Sequence, residues 1–273
     1  MTVKRTLLLS LMTALVSKGA ILTISAGGTG ATASIQGQVD AFRTALGTLN
    51  ANVAGSFGSG RREINWDAVP AGFSDPNPLP GNFFNSNSPR GLVMTQDAGS
   101  LLVTTSTGLL ADSFPFSTTK IFGLTGAGKF LDITFFVPGT ATVATTRGFG
   151  AIFLDADGGT HSIEAFRANG TSAGVFQVPN ATVSSGGFSF LGIYGDAGEQ
   201  FSRFRLNLGS AGNFLLAGET GGCTAAGNGN NCVAVDDFIY GEPVAVPEPG
   251  TWSMLIAGGA LLLAGRRPLR STR

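Results

Sequence analysis

The acidic residues are few and grouped, which makes them the first candidates for chemistry in this 273-residue chain. Glycoside hydrolysis needs two carboxyl groups facing each other across a cleft. Asp155, Asp157, Glu164, Asp196 and Glu199 could supply them, although no local pattern selects a pair. Asp155 and Asp157 sit in "DADGG", where aspartate also serves to hold a turn through backbone hydrogen bonds. As a calcium loop of the EF-hand kind this stretch fails, because the twelfth position from Asp155 is Phe166 rather than glutamate. A second group joins Glu63 and Asp67 of "REINWD" to Asp236 and Asp237 of "AVDDFIYG". If the first and last strands of a sandwich adjoin, these acids converge on one structural Ca2+. Strict alternation in "VAVDDF" turns one aspartate toward apolar neighbours, and an unpaired buried carboxylate is costly. That aspartate requires a cation, and Arg61 or Arg62 fills the role as well as calcium does.

The single histidine, His161, rules out multi-histidine zinc sites, and no Gly-x-Ser-x-Gly element frames a serine nucleophile. His161 reads as a solvent-facing strand residue. Sugar binding commonly stacks aromatic faces in a groove, for which Trp66, Tyr194 and Tyr240 are the candidates. The 21 phenylalanines show that aromatic rings also serve packing here. Cys223 and Cys232 bracket a Gly/Asn-rich loop and read as a disulfide, which in an exported protein would add about 2–3 kcal/mol.

The elements that must position these residues follow from periodicity. Ile35, Val39, Phe42, Leu46 and Leu49 recur near a 3.6-residue period, predicting one amphipathic helix ended at Asn50, docked on the main domain or serving as a partner-binding arm. From Arg61 the pattern becomes β. Asp157-Gly158-Gly159 and Asn169-Gly170 separate apolar runs in the manner of hairpin turns. In the run 201–208, Phe201, Arg203, Arg205 and Asn207 alternate with Ser202, Phe204, Leu206 and Leu208, predicting a strand with one wet face. About nine to eleven short strands without intervening helices imply an all-β, jelly-roll-type β-sandwich over residues 61–243. Residues 34–60 supply the short N-terminal helix and a linker.

Charged residues are 12% of the chain, and seven of the seventeen basic ones lie near its ends. Residues 34–246 carry ten Lys/Arg against sixteen Asp/Glu, a net charge of −6, which excludes nucleic acid as a partner. Lys4 and Arg5, the apolar run Leu7 to Val16 and the small residues Ala31-Thr32-Ala33 follow the order of a secretory signal peptide. It is assigned to residues 1–33, with cleavage after Ala33 or, alternatively, Ala26. At the other end, residues 244–273 contain Pro247-Glu248-Pro249, a hydrophobic helix over 251–265 and then Arg266-Arg267. Fifteen helical residues span about 22 Å, short of the ~30 Å hydrocarbon core, and the arginines orient the segment with the body outside.

This C-terminal order resembles the PEP-CTERM sorting signal of exported proteins of Gram-negative bacteria. The resemblance is carried by Pro247, Glu248, Pro249, the apolar run from Trp252, and Arg266 and Arg267. It implies signal peptidase and an exosortase-type membrane protease as processing partners, with transient membrane contact through the C-terminal segment. It also implies delivery to the cell envelope or extracellular matrix. The body, with "GFSFLGIYGDAGEQFSRFRLNL" and "VAVDDFIYGEP", is similar to lectin-like and carbohydrate-binding jelly rolls. The expected function is an exported, non-enzymatic sandwich with a structural or glycan-binding role and extracellular polysaccharide as partner. A secreted glycan-active hydrolase using a carboxylate pair and a permanently membrane-anchored surface protein are the alternatives.

Overall fold

The computed structural model describes residues 19–105, 114–184, 186–196, 198–222 and 232–246. Among these, fourteen strands form two antiparallel seven-stranded sheets. The first sheet contains β1 (Ile21–Gly27), β2 (Arg61–Ile64), β4 (Leu101–Thr104), β5 (Ile121–Leu124), β8 (Gly148–Leu154), β11 (Phe188–Gly195) and β13 (Ala234–Gly241). Its order is β1-β11-β8-β13-β5-β4, and β2 pairs with the end of β13. The second sheet contains β3 (Leu92–Gln96), β6 (Phe130–Phe136), β7 (Val143–Thr145), β9 (Ser162–Arg167), β10 (Ser172–Gln177), β12 (Phe201–Asn207) and β14 (Val244–Ala245). Its order is β10-β9-β12-β6-β7-β14, and β3 pairs with β6. Two helices complete the fold, α1 (Ala33–Leu46) and the single turn α2 (Phe83–Ser86).

The all-β sandwich is therefore present, and its two faces explain two kinds of strand sequence. In the second sheet, β6 and β12 alternate because one face packs on the core and the other is wet. In the first sheet, β8 and β13 are buried at every position. One of their faces joins Phe149, Phe153, Val235 and Phe238 to Ile133, Phe135 and Phe204 of the second sheet. The other lies under α1, whose Ile35, Val39, Phe42 and Leu46 cover Ile152, Phe190 and Ile239. The helix docks because Gly150 and Gly192, paired across β8 and β11, leave a dent for the Phe42 ring. A Cβ on Gly192 would lie 2.5 Å from that ring. Gly47, at φ 102, ends the helix before Asn50, and Leu49 is left exposed.

Several expectations change. The Asp157-Gly158-Gly159 turn is a crossing between sheets and not a hairpin, since β8 and β9 belong to different sheets. The Asn169-Gly170 hairpin joins β9 and β10 as its turn chemistry predicts. Phe201 leaves the wet face because a register shift between Phe201 and Arg203 rotates it into the core. The sandwich also extends past 61–243 at both ends, through β1 before α1 and β14 after Glu242. Among the described residues no helix is long and apolar enough to cross a membrane. The segment 251–265 lies outside the described residues.

A buried ion pair joins β2 to the end of β13. Arg62 donates from Nε and Nη2 to the two carboxylate oxygens of Glu242, at 2.8 and 2.9 Å, and both side chains are fully buried. The remaining guanidinium hydrogens go to the carbonyls of Val53, Gly55 and Pro89. Asn50 Nδ2 and the Phe57 amide donate to the same carboxylate, so the pair also pins the 50–60 segment. Glu242→Gln strands a buried guanidinium, and the expected loss is about 3–5 kcal/mol, measured by urea unfolding. A loss below about 1 kcal/mol would show that water reaches the pair.

Candidate functional site

The acids singled out for calcium are placed by β2, β13 and α1. Glu63 on β2 stands opposite Ile239 of β13. Between Val235 and Phe238 the register of β13 on β8 slips by one residue, a β-bulge that contains Asp236 and Asp237. Alternation would have sent one of the two carboxylates into the sandwich core. With the bulge, Val235 and Phe238 both keep that face, and both aspartates bond to Ser117 on the opposite side. Arg43 of α1 then enters, donating to Glu63 at 3.1 Å and to Asp237 at 3.4 Å. Arg61 bonds Glu63 from its own strand at 2.7 Å, and Arg62 is committed to Glu242. Asp67 is engaged elsewhere, accepting from the Lys120 amide and the Thr119 hydroxyl. Among the described residues no group of three or more His, Cys, Asp or Glu could hold a metal. The cation between Glu63 and Asp237 is thus a guanidinium, supplied by a helix that the strand-based reading did not connect to them.

The two aspartates meet at one hydroxyl. Ser117 Oγ lies 3.1 Å from Asp236 Oδ1 and 2.8 Å from Asp237 Oδ1. A hydroxyl has one proton to donate, so the second contact is favourable when one carboxyl holds a proton. Asp236 is the carboxyl whose surroundings favour the protonated form most. Burial first, and then the charge of Asp237, push its carboxyl up to about 8, against the Phe116 and Ser117 amides that donate to Oδ2. Burial also raises Asp237, with Arg43 opposing. Both side chains are buried, which makes the pair a fastening between β13, α1 and the 116–117 strap.

Of the aromatic candidates, Trp66 and Tyr240 are core residues with no open face. The Trp66 indole stacks on Phe122 at 4.3 Å and meets Phe84 and Phe238 edge-on. Tyr240 is fully buried, its hydroxyl donating to the Arg90 carbonyl. Tyr194 is half-buried beneath Arg147 and against Phe42. Neither Trp66 nor Tyr240 can stack on a sugar, because facing rings of the core already occupy their planes.

Trp66 nevertheless borders a cavity of about 200 Å3. Its walls are Trp66, Val69, Pro70, Phe83 and Phe84, with Asn65, Asn87, Ser88 and Arg90 as the polar members. Two buried N–H groups of these residues, Trp66 Nε1 and Arg90 Nε, have no hydrogen-bond partner. Arg90 stacks on Phe84 and bonds Ser88 Oγ, and burial lowers the pKa of its guanidinium. Unmade hydrogen bonds of this kind cost roughly 1–3 kcal/mol each, and both atoms are shut off from solvent by the side chains around them. Arg90 was not singled out from the sequence. Its signal was an arginine among aromatic and amide residues in a Pro/Asn-rich loop.

The hydrolase candidates are spread through the fold. Asp155, at φ 64, accepts the Gly186 amide; Glu164 accepts the Ser172 hydroxyl; Glu199 pairs with Arg167. Asp196 accepts the Ala20 amide, and Asp157 is exposed. His161 is buried at 2%, because it shares the parity of Ile163 and Ala165 on the core face of β9. On the wet face of the second sheet, Arg205 forks onto Asp132 at 2.7 and 2.9 Å and Arg203 lies 3.7 Å over the Phe166 ring. Cys232 is buried, whereas Cys223 lies outside the described residues, so a bridge between them remains a proposal. Pro247, Glu248, Pro249, Arg266 and Arg267 also lie outside them.

No protein-family model and no curated protein matches the chain. Among solved structures it is similar at 14% identity to an exo-β-1,3-galactanase from Phanerochaete chrysosporium, over 56% of this chain and 27% of that one, with a TM-score of 0.24. A second is the catalytic domain of a GH87 α-1,3-glucanase, at 14% identity over 58% and 30% of the two chains, TM-score 0.27. A third is the enzymatically active domain of bacteriophage CBA120 tailspike protein 4, at 16% identity over 59% and 20%, TM-score 0.26. The chain spans less than a third of each of these structures, and likenesses of this size carry no argument about activity.

The raised Asp236 carboxyl has a thermodynamic consequence. Between an unfolded carboxyl near ~3.9 and a folded one near 8, the native state holds a proton that the unfolded chain has released, so stability falls as pH rises through that window. Asp236→Asn keeps the hydrogen bonds without a titrating group. Its melting temperature should vary less than that of the wild type between pH 4 and 8 and exceed it by several degrees at pH 8. A wild-type melting temperature that is flat across this range would contradict a raised Asp236 carboxyl.

Proposed function

We propose that this chain is an exported, jelly-roll-type β-sandwich that binds glycan without cleaving it, and that it works at the cell envelope or in the extracellular matrix. The single observation that carries the binding role is the cavity beside Trp66. Its aromatic and proline walls suit the apolar face of a sugar ring, and Asn65, Asn87, Ser88 and Arg90 add polar groups to the lining. Its size, about 200 Å3, is below the ~300–1,000 Å3 of pockets for drug-sized ligands and fits one ring. No carboxylate or histidine lines it, so the cavity has neither of the acids that glycoside hydrolysis requires. Arg90 makes no ion pair among the described residues, which favours a sugar that carries a carboxylate.

Location rests on the two ends. The N-terminal charged and apolar order supports export, and the Pro247 to Arg267 segment supports sorting by an exosortase-type protease at the membrane. A body with a net charge of −6 suits a partner held by hydrogen bonds and local contacts rather than a polyanion gripped along its length.

The test is fluorescence titration with a glucuronate-containing oligosaccharide, using Trp252→Phe so that Trp66 alone reports. We expect saturable quenching, weaker with a neutral oligosaccharide, and an affinity at least tenfold lower in Arg90→Met. Absence of any saturable change with either sugar would overturn the binding role. Product release from the oligosaccharide by the same sample would favour the hydrolase instead.

A further inference from the structure

We infer that the exported protein begins at Ala20, with Asp196 holding the new amino terminus. The inference rests on the export reading and corrects its boundary. Cleavage after Ala33 would remove the whole of β1, and cleavage after Ala26 would leave only Gly27 of it. That strand is paired with β11 from Ile21↔Gly195 to Gly27↔Ser189 without a break. Its removal would strip the edge of β11 and expose backbone donors and acceptors to other chains.

The residues after β1 are built in as well. Gly28 donates to the Phe188 carbonyl at 2.8 Å and accepts from the Thr182 amide at 3.0 Å. Gly27 packs so closely that a Cβ on it would lie 1.8 Å from the Asn180 carbonyl oxygen. A leader that ended among these residues would take part of the sandwich with it.

The apolar run of the leader ends at Val16, and Ser17-Lys18-Gly19 follows directly. These present small residues at the first and third positions before a Gly19–Ala20 cut, the pattern that signal peptidases read. Hydrolysis of that peptide bond puts the hydroxyl of water on the Gly19 carbonyl carbon, leaving a carboxylate on the leader. The nitrogen of Ala20 takes up protons and becomes an α-ammonium. In the structure this nitrogen already donates to Asp196 Oδ1, and the Ala20 carbonyl accepts the Asp196 amide at 3.0 Å. Cleavage therefore converts a neutral donor at an aspartate into a charged one, which strengthens the contact. Ala20 is exposed, so a charged terminus there stays hydrated.

The experiment is to express the full chain in a Gram-negative host and determine the N-terminus of the protein recovered from periplasm and medium. A start at Ala20 is expected. A start at Ser34 or Gly27 would overturn the inference and leave export standing, whereas protein retained in the cell with Met1 would overturn export itself. A second measurement addresses the ion pair. An α-amine titrates near ~8, so its attraction to Asp196 is present below that pH and lost above it. The other charges near this terminus are Glu199, Arg167 paired with Glu199, and Arg147, which bonds the Gly195 carbonyl. In the protein starting at Ala20, Asp196→Asn should lower the melting temperature by about 2–4 °C at pH 6 and by clearly less at pH 9.5. An equal loss at both would overturn the role of Asp196.

Discussion

Two adjacent aspartates in a strand buried on both faces set the main constraint on this fold. β13 runs through the middle of the first sheet with every position buried, and a regular strand would drive one carboxylate between the sheets. The bulge after Val235 removes that conflict by adding one residue to the strand, so that Phe238 resumes the core face that Val235 left. Both acids then need partners on the helix side. Arg43, Ser117 and the Phe116 amide meet that need, and in doing so they fix where α1 and the 116–117 strap lie. The helix seats over the dent at Gly150 and Gly192, so polar and apolar contacts agree on one docking position.

The same strand ends in Glu242, and its buried pair with Arg62 ties β2 and the 50–60 segment to the edge of the sandwich. The middle of the first sheet is closed on both faces and has little surface to offer a ligand. The open surface lies at the margins, where the 70–90 loop folds over Trp66, and on the wet face of the second sheet. The cavity at Trp66 is lined by Arg90, which makes no ion pair among the described residues, while the charges on the wet face are already paired as Arg205 with Asp132.

Much of the architecture was legible along the chain. Alternation in 201–208 marks a strand with one wet face, because side-chain direction repeats every two residues. The 3.6-residue period of Ile35, Val39, Phe42 and Leu46 likewise marks α1. The candidate site was less legible. The need for a cation near Asp236 and Asp237 could be argued from burial alone, but Arg43 could not be chosen, since it is far away in sequence and arrives only through helix docking. Residue type alone leaves Trp66 equally suited to stacking on a sugar and to filling the core, and Phe122 and Phe238 against its ring place it in the core.

By itself the sequence determined class and composition: an all-β body with one helix, a net acidic surface, and ends whose charge and apolar order suit export. These properties depend on local pattern, which a chain carries wherever it folds. Tertiary structure alone decided three matters. It put the Asp157-Gly158-Gly159 turn between sheets, drew residues 21–27 into the first sheet as β1, and supplied an arginine from α1 as the cation for Glu63 and Asp237. Each of these depends on which distant segments meet, and pairing is settled by the burial and hydrogen bonding of the whole sandwich rather than by any one stretch of it.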